Sequence, residues 1–443
     1  MDQTSLHALF DSAVADRPQT PQLVANSIRA GRRLRTHRRV QAAAASTCAV
    51  VLIAVIIPLV LGRLGDVGRL APRTARSTVP PTAYVWTGTN AVTPIRLGTN
   101  TALKPIRFRG GISNVVAAPD GKAVYVFTMT ISSSVTDYVT RIDTLTGQAA
   151  SPIRLTGGLQ QLAQVQIAVG GNVGYSIEYG LLPNRKYGTE LVQINLSTGV
   201  EHRVIASGTG PYAISPNGRT AYQAGYAQGV ACVDLLNGRM LRFIQVSGGT
   251  AGDVAIAPNG RTAYATSFNH GIWVTPIDTR TNMASLPSDI LTAVRPFAEQ
   301  IAIAADGKTG YLSDQQYVIP ISLGTGRALK PIRLAAQFST LAGHLEISPN
   351  SRIGYDLVLT SRWLQPVDLV SGTALPKLFL PPGSGEIALP AFAANGAVLY
   401  VPAESHRPGG GSVGEVFPVQ TATQKLGKGI KVSGVPEGIV IVS

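Results

Sequence analysis

The side chains that most often carry chemistry are scattered in this sequence. No two of its histidines or cysteines have the His-x-x-x-His or Cys-x-x-Cys spacing that would place two ligands on one metal ion. Gly-x-Ser-x-Gly, phosphate-loop and dinucleotide fingerprints are missing wherever a strand, turn and helix could hold them. We therefore predict no cofactor, no metal site and no catalytic residue, and the sequence favours a non-enzymatic protein.

One acidic position does recur. An aspartate ends an apolar segment and precedes a short polar turn in four places: Asp143, Asp234, Asp278 and Asp368. Aspartate side chains commonly accept hydrogen bonds from backbone N–H groups two or three residues further along the chain. The repeated placement therefore predicts a turn at a strand end, not a catalytic carboxylate.

Short hairpins must position these residues. Seven times an apolar run enters an Asn-Gly-like turn and leaves through a run with a tyrosine, as in AIAPNGRTAYA (255–265), at intervals of roughly 42–51 residues. The turns fall at Asp120-Gly121, Gly171-Asn172, Asn217-Gly218, Asn259-Gly260, Asp306-Gly307, Asn350-Ser351 and Asn395-Gly396. Asn-Gly favours two-residue type I′ turns with positive φ at both residues. A fixed period of this size predicts a β-propeller or a similar array.

The tyrosines that follow these turns occupy one place in the repeat. They are Tyr125, Tyr175, Tyr222, Tyr264, Tyr311, Tyr355 and Tyr400. A large, amphipathic side chain at a fixed place in each unit suits packing between neighbouring units. We interpret these tyrosines as inter-blade packing residues, not as a ring that stacks on a ligand.

The number of repeats predicts how the array closes. A third type of strand, as in VTPIDTRTN (274–282), occurs eight times, and a fourth strand such as ALKPIRL (328–334) follows it. The repeats begin with a lone second strand (82–88) and end with a lone first strand (438–443). We therefore predict an all-β, eight-bladed propeller whose last blade joins both ends of the domain. Seven blades is the alternative, because the unit near Gly171 is degenerate.

The strands VTPIDTRTN and PIRL and the hairpin SPNGRTAY resemble the YVTN-type β-propeller repeat of bacterial and archaeal surface proteins. The resemblance covers about residues 82–443. It implies the propeller fold, and it carries over no catalytic set, because the residues of that motif are structural.

Loops on one face of such a ring are the place to look for a ligand site. The loops after the second and fourth strands share a face, and five of them are long: 128–137, 179–188, 267–271, 291–299 and 404–414. Variable loops on a rigid scaffold often carry binding residues. The ligand-binding candidates are Asn184, Arg185, Lys186, His270, Arg295, His406 and Arg407.

The chain before the propeller has the pattern of a membrane anchor. Residues 42–61 contain no charge and are long enough to cross a bilayer as a helix, and six arginines precede them between Arg29 and Arg39. The predicted organisation is a cytoplasmic amphipathic and basic tail (1–40), a transmembrane helix (41–62), a Pro/Arg-rich linker (63–81) and an extracellular propeller (82–443). A cleaved signal peptide is the competing interpretation.

The predicted tail allows a further role. Leu6, Leu9, Phe10 and Val14 have helical spacing, so a short helix could lie on the membrane or dock a cytoplasmic partner. The layout resembles that of membrane-bound anti-sigma factors, although residues 1–40 lack their His/Cys zinc motif.

Positive charge is concentrated in the predicted fourth strands. The net charge is +14, and Lys104, Arg107, Arg154, Arg242, Lys330, Arg333, Lys377 and Lys431 lie in or beside these outermost strands. Cations on an exposed strand edge prevent pairing between molecules. Attraction to anionic wall polymers or lipid headgroups is the alternative, and the outward topology argues against nucleic acid.

Three functions follow from these patterns. The leading hypothesis is a membrane-tethered extracytoplasmic binding or scaffold module for a protein, glycan or small molecule. The second is a lactonase-like hydrolase acting in the central channel. The third is envelope signalling of the anti-sigma type through residues 1–40.

Overall fold

The computed structural model describes residues 80–442 except 89, 132–134, 157–161, 169, 182–186, 208–209, 227–228, 269–270, 291–299, 314–315, 335–343, 358–360 and 407–411. These residues form eight antiparallel sheets and contain no α-helix. No helix in this part of the chain could span a membrane. The predicted tail and membrane helix, and nearly all of the linker, lie outside the described residues.

Each sheet is one blade, numbered in chain order, and the blade that joins both chain ends is blade 8. Its first strands along the chain are β1 (Thr82–Thr87), β2 (Ala91–Arg96), β3 (Thr101–Ala102) and β4 (Ile106–Arg107). Blade 1 contains β5 (Gly111–Ala117), β6 (Ala123–Ile131), β7 (Val135–Asp143) and β8 (Ile153–Arg154). Blade 2 contains β9 (Leu162–Ile167), β10 (Val173–Leu181), β11 (Tyr187–Asn195) and β12 (Glu201–Ser207). Blade 3 contains β13 (Tyr212–Ile214), β14 (Thr220–Tyr226), β15 (Gly229–Asp234) and β16 (Arg239–Gln245).

In each of the next four blades the fourth strand is divided into two short strands. Blade 4 contains β17 (Thr250–Ile256), β18 (Thr262–Phe268), β19 (Ile272–Asp278), β20 (Met283–Ala284) and β21 (Ser288–Ile290). Blade 5 contains β22 (Ile301–Ile303), β23 (Thr309–Ser313), β24 (Tyr317–Ser322), β25 (Arg327–Ala328) and β26 (Ile332–Arg333). Blade 6 contains β27 (His344–Ile347), β28 (Ile353–Leu357), β29 (Trp363–Asp368), β30 (Thr373–Ala374) and β31 (Leu378–Phe379). Blade 7 contains β32 (Ser384–Ile387), β33 (Ala391–Phe392), β34 (Val398–His406), β35 (Ser412–Gln420), β36 (Lys425–Leu426) and β37 (Ile430–Val432), and β38 (Pro436–Val442) completes blade 8.

The first strands of the blades lie at the centre of the ring. β38 contacts β5, β5 contacts β9, and the same relation links β17 to β22, β22 to β27 and β33 to β38. Within a blade the strands then follow outward in chain order, as in β5-β6-β7-β8. Loops after second and fourth strands therefore share one face, which we call the loop face, and the hairpins after first and third strands share the other, the turn face.

The ring closes as the sequence predicts. β38 pairs with β1 from Thr82↔Val442 to Trp86↔Gly438, so the C-terminal strand becomes the first strand of the blade that the N-terminal strands begin. Gly438 is required there because a Cβ atom would lie 2.2 Å from the Trp86 ring. The prediction of eight blades is confirmed, and the degenerate unit near Gly171 forms a complete blade 2.

The first-to-second-strand turns differ from the predicted type. Only one residue of each has positive φ, for example Gly121 (70°) and Gly260 (67°), whereas the preceding Asp or Asn does not. The aspartate or asparagine instead accepts a backbone N–H through Oδ1, as from Lys122 to Asp120 at 3.0 Å. The type I′ prediction is therefore wrong. In blade 2 the positive-φ residue is Gly171, so its turn is Gly170-Gly171 and not Gly171-Asn172.

The recurrent aspartates cap the turns between third and fourth strands. Asp278 Oδ1 accepts hydrogen bonds from the backbone N–H groups of Arg280 (2.9 Å) and Thr281 (2.7 Å). These backbone donors hold the pKa of the Asp278 carboxyl below its usual value, as the Thr146 backbone does for Asp143. This confirms the predicted structural role.

The hydrophobic core is divided into layers between neighbouring blades. One layer joins Phe127 of blade 1 to Val165 and Val192 of blade 2, and another joins Val85 of blade 8 to Tyr400 of blade 7. A sheet in this arrangement buries both of its faces, so a layer of buried apolar residues holds each blade to its neighbours.

The recurrent tyrosines pack in the layers between neighbouring blades, and three of them also link their blade to a turn of the next. Tyr222 donates to Asn282 Oδ1 at 2.5 Å and Tyr400 to Asn100 Oδ1 at 2.9 Å, while Tyr355 donates to Gln424 Oε1 at 3.1 Å. These three acceptors belong to non-glycine residues with positive φ in the turns between third and fourth strands. Positive φ favours glycine, yet these three positions keep an asparagine or glutamine. Its side-chain oxygen accepts the hydrogen bond from the tyrosine hydroxyl. The inter-blade interpretation of the tyrosines is confirmed.

We predict that Tyr222→Phe lowers the free energy of unfolding by about 1 kcal/mol, because the Asn282 acceptor loses its donor. Asn282→Gly should cost less, since glycine relieves the positive φ of 55° while removing the acceptor. Urea unfolding of both variants and of the double variant measures the coupling. Fully additive losses would contradict the linkage.

Candidate functional site

Of the seven predicted ligand-binding residues, His406 alone lies within the described residues. The other six, Asn184, Arg185, Lys186, His270, Arg295 and Arg407, lie outside them. His406 ends β34 on the loop face, as predicted, and its side chain is 60% exposed. Its Nδ1 lies 3.3 Å from Ser412 Oγ and 3.6 Å from Glu404 Oε1, so it is held by its own hairpin.

A row of polar side chains that the sequence reading missed lies at the inner end of the loop face. Two positions before the first-strand residue that pairs with the recurrent tyrosine, blades 4, 5 and 6 carry Asp253, Gln300 and His344. Glu346 lies two residues after His344 on β27. We call Asp253, Gln300, His344 and Glu346 the inner polar arc.

Hydrogen bonds connect the arc across three blades. Asp253 Oδ2 accepts the backbone N–H of Ile301 at 3.1 Å, next to Gln300. Gln300 Oε1 lies 2.6 Å from His344 Nδ1, and His344 Nε2 lies 3.4 Å from Glu346 Oε2. Rotation of the Gln300 amide exchanges its oxygen and its NH₂ group. Gln300 can therefore pair with His344 Nδ1 whether that nitrogen donates or accepts the hydrogen bond.

Three members of the arc are buried, and two of its members directly follow segments that join neighbouring blades. Asp253, His344 and Glu346 are 6%, 4% and 3% exposed. Gln300 and His344 directly follow residues 291–299 and 335–343, which connect the fourth strand of one blade to the first strand of the next. The arc therefore lies where those loops meet the central strands.

A second polar contact lies between blades 5 and 6. Ser313 Oγ donates to Asp356 Oδ1 at 2.5 Å, joining the second strands of the two blades. The structure thus pairs Ser313 with a carboxylate, and His344 with an amide and Glu346. Among the described residues there is no cluster of three or more His, Cys, Asp or Glu suited to a metal ion. The arrangement brings carboxylate, amide and imidazole groups together, and all of these can form hydrogen bonds.

Aligning the repeats would have exposed the arc. Asp253, Gln300 and His344 interrupt apolar first strands four residues before the turn begins, in GDVAIAPNG, EQIAIAADG and GHLEISPNS. The recurrent tyrosine marks the register. Loop residues were instead selected for their charge and position.

A buried carboxyl in blade 1 has an unusual protonation equilibrium. Asp137, near the loop-face end of β7, is 7% exposed, and burial raises the pKa of its carboxyl to about 6. Its side chain has no hydrogen-bond partner among the described residues. Such perturbed groups occur at functional sites and also in structural positions.

Comparison with known proteins adds information on fold alone. No family model matches the sequence, and no curated protein is similar to it. Among solved structures, dihydro-heme d1 dehydrogenase NirN in complex with DHE is 14% identical with a TM-score of 0.57, covering 83% of this chain and 76% of that one. A eukaryotic initiation factor is 11% identical with a TM-score of 0.53, covering 82% of this chain and 98% of that one. The resemblance to the YVTN repeat therefore stays a prediction.

We predict that Asp137→Asn stabilises the propeller at pH 8. In the folded protein the pKa of this carboxyl is about 6, above its ordinary value of 3.8. The contribution of the carboxyl to the free energy of unfolding is therefore full below about pH 4 and is lost as the pH rises through 6. The asparagine avoids that loss, which amounts to up to about 3 kcal/mol. Urea unfolding at pH 8 and pH 4.5 measures the difference.

The matched control is Asp120→Asn, at an exposed turn position where blades 3 and 4 carry asparagine. It should have little effect at either pH. Equal stability of Asp137→Asn and the parent at pH 8 would contradict the prediction.

Proposed function

We propose that this protein is a membrane-tethered, extracytoplasmic binding module that presents the loop face of a closed eight-bladed ring to a polar ligand. The observation that carries the ligand part is the inner polar arc, where acidic, amide and imidazole groups from three blades meet at the inner end of the loop face. Rigid central strands orient these groups, so little side-chain freedom would be lost on binding.

A glycan or a small polyhydroxylated molecule fits this chemistry best. Carboxylates accept hydrogen bonds from hydroxyl groups, and amide and imidazole groups can donate or accept them. The arc spans blades 4 to 6, so a ligand at the channel mouth would contact several blades at once. A pocket with a few convergent polar groups is the usual form of a small-molecule site.

A lactonase-like hydrolase is the second candidate. The same arc supports it, because Asp253, His344 and Glu346 bring two carboxylates and an imidazole to the inner end of the loop face. Turnover of a lactone panel, lost in Glu346→Gln, would favour this candidate over simple binding.

The tether is supported by the uncharged segment 42–61 and the arginines before it. We predict that an impermeant maleimide labels Leu236→Cys in intact cells, since this side chain is 83% exposed on the turn face. Ser5→Cys should be labelled only after lysis. Cys48→Ser removes one background thiol, and burial keeps Cys232 unreactive by raising its pKa to about 11. Labelling of Ser5→Cys in intact cells would contradict the proposed topology, because it would place residue 5 outside the cell.

We predict that a screen of residues 80–443 against an array of bacterial surface oligosaccharides gives hits that Gln300→Ala and His344→Ala weaken by at least tenfold. All eight sheets and their core layers lie within this fragment, so it contains what the ring needs to fold. Gln166→Ala is the matched control, because Gln166 is a buried first-strand amide that bonds Tyr212 O at 2.9 Å in another part of the ring. Equal weakening by the control would assign the effect to stability and contradict a site at the arc.

A further inference from the structure

Two adjoining blades carry a continuous group of cations on the outer circumference. We call this group the cationic wall, and its members are Arg96, Lys104, Arg107 and Arg109 of blade 8 and Lys425, Lys428 and Lys431 of blade 7. All seven side chains belong to exposed residues. β37 contacts β3, and Tyr400 of blade 7 bonds Asn100 of blade 8, so the two halves of the wall are held together.

Most of the positive charge of the wall is not compensated by neighbouring carboxylates. The segments 97–110 and 421–435 contain no Asp or Glu. Within the described residues, none of the seven cations forms an ion pair; the lysine or arginine that does is Arg141, with Asp143. Glu415 lies opposite Lys431 across the β35–β37 ladder and offsets part of the charge at that one position, while its Oε2 also accepts a hydrogen bond from Ser405.

Protection of strand edges accounts for only part of this charge. In the corresponding segments, blades 1 and 6 have one cation each, Arg154 and Lys377, and blade 5 has three. Blades 7 and 8 differ in that they adjoin each other and together carry seven cations. In blade 8, Pro105 already interrupts the edge between β3 and β4, because proline has no N–H to offer a neighbouring strand. The concentration of charge in blades 7 and 8 therefore exceeds what prevention of edge pairing needs.

The chain enters the propeller beside this wall. Pro81 O accepts the backbone N–H of Leu97 at 3.0 Å, immediately after Arg96, and Pro80 O accepts the Thr82 hydroxyl at 2.8 Å. The residues between the predicted span and Pro80 reach at most roughly 60 Å when fully extended. A tether at this point would keep blade 8 closer to the bilayer than the opposite side of the ring.

We propose that the cationic wall docks the ring edge-on against an anionic lipid bilayer. Charge complementarity and the position of chain entry both favour a lipid surface as the partner. The inference uses the tether of the proposed function for orientation, but it does not involve the inner polar arc. Docking in this way leaves the loop face free at the side of the ring.

The chain offers a matched pair of variants. Blade 8 and blade 5 share the segment ALKPIR, at 102–107 and at 328–333, and in both its lysine and arginine are exposed. Lys104→Gln with Arg107→Gln removes two charges from the wall. Lys330→Gln with Arg333→Gln removes the same two charges from the same local structure outside it.

Co-sedimentation of residues 80–443 with phosphatidylcholine vesicles, with and without phosphatidylglycerol, tests the proposal. The fragment should bind the anionic vesicles and release them as salt is added. The blade 8 pair should weaken binding by roughly tenfold or more, since each cation near an anionic surface contributes about 1 kcal/mol. The blade 5 pair should change it less than twofold. Circular dichroism confirms that each variant is folded.

Three results would overturn the proposal. Equal losses in the two pairs would mean that net charge alone attracts the protein. Equal binding to vesicles without phosphatidylglycerol would exclude a charge-directed contact. Binding to soluble poly(glycerol phosphate) but not to vesicles would mean that the cationic wall recognises an anionic polymer of the cell wall and not a lipid bilayer. The fragment used here lacks the predicted membrane helix. The vesicle result therefore stays interpretable even if the thiol-labelling experiment contradicts the proposed tether.

Discussion

Every blade of this protein is apolar on both faces, and this constraint governs the whole domain. A two-sided apolar sheet is insoluble unless another sheet covers each face, and a linear stack would leave two faces exposed. Closure into a ring removes both exposed ends. The pairing of β38 with β1 is therefore a requirement of the core, because it builds the eighth sheet between Tyr400 of blade 7 on one side and Val124 of blade 1 on the other.

Polar contacts then fix the relative position of neighbouring blades at three interfaces, between blades 3 and 4, 6 and 7, and 7 and 8. Apolar layers tolerate sliding, whereas the hydroxyl of a recurrent tyrosine reaches one acceptor in one turn of the next blade. The acceptors Asn100, Asn282 and Gln424 adopt positive φ, which costs free energy at a non-glycine residue. Their hydrogen bonds offset that cost. Each bond connects the second strand of one blade to the turn between the third and fourth strands of the next.

The repeat period and the unequal strand counts were enough to predict eight blades and the joining of the chain ends, because both follow from local patterns repeated many times. The turn type was wrong because Asn-Gly is compatible with more than one turn, and the longer loop here places only Gly121 or its equivalent at positive φ. The inner polar arc escaped notice because Asp253, Gln300 and His344 are distant in sequence. Only the ring places them side by side, so a search along the chain by motif spacing does not detect them.

The location of Thr82 within its sheet has a mechanical consequence. β1 is an interior strand with β38 on one side and β2 on the other, so a pull on Pro80 along β1 is resisted by two hydrogen-bonded ladders at once. Such a load acts in shear, in which many backbone bonds must break together, and not by peeling them one at a time. An anchored ring built in this way would resist tension at its attachment point better than one whose chain entered through an outermost strand.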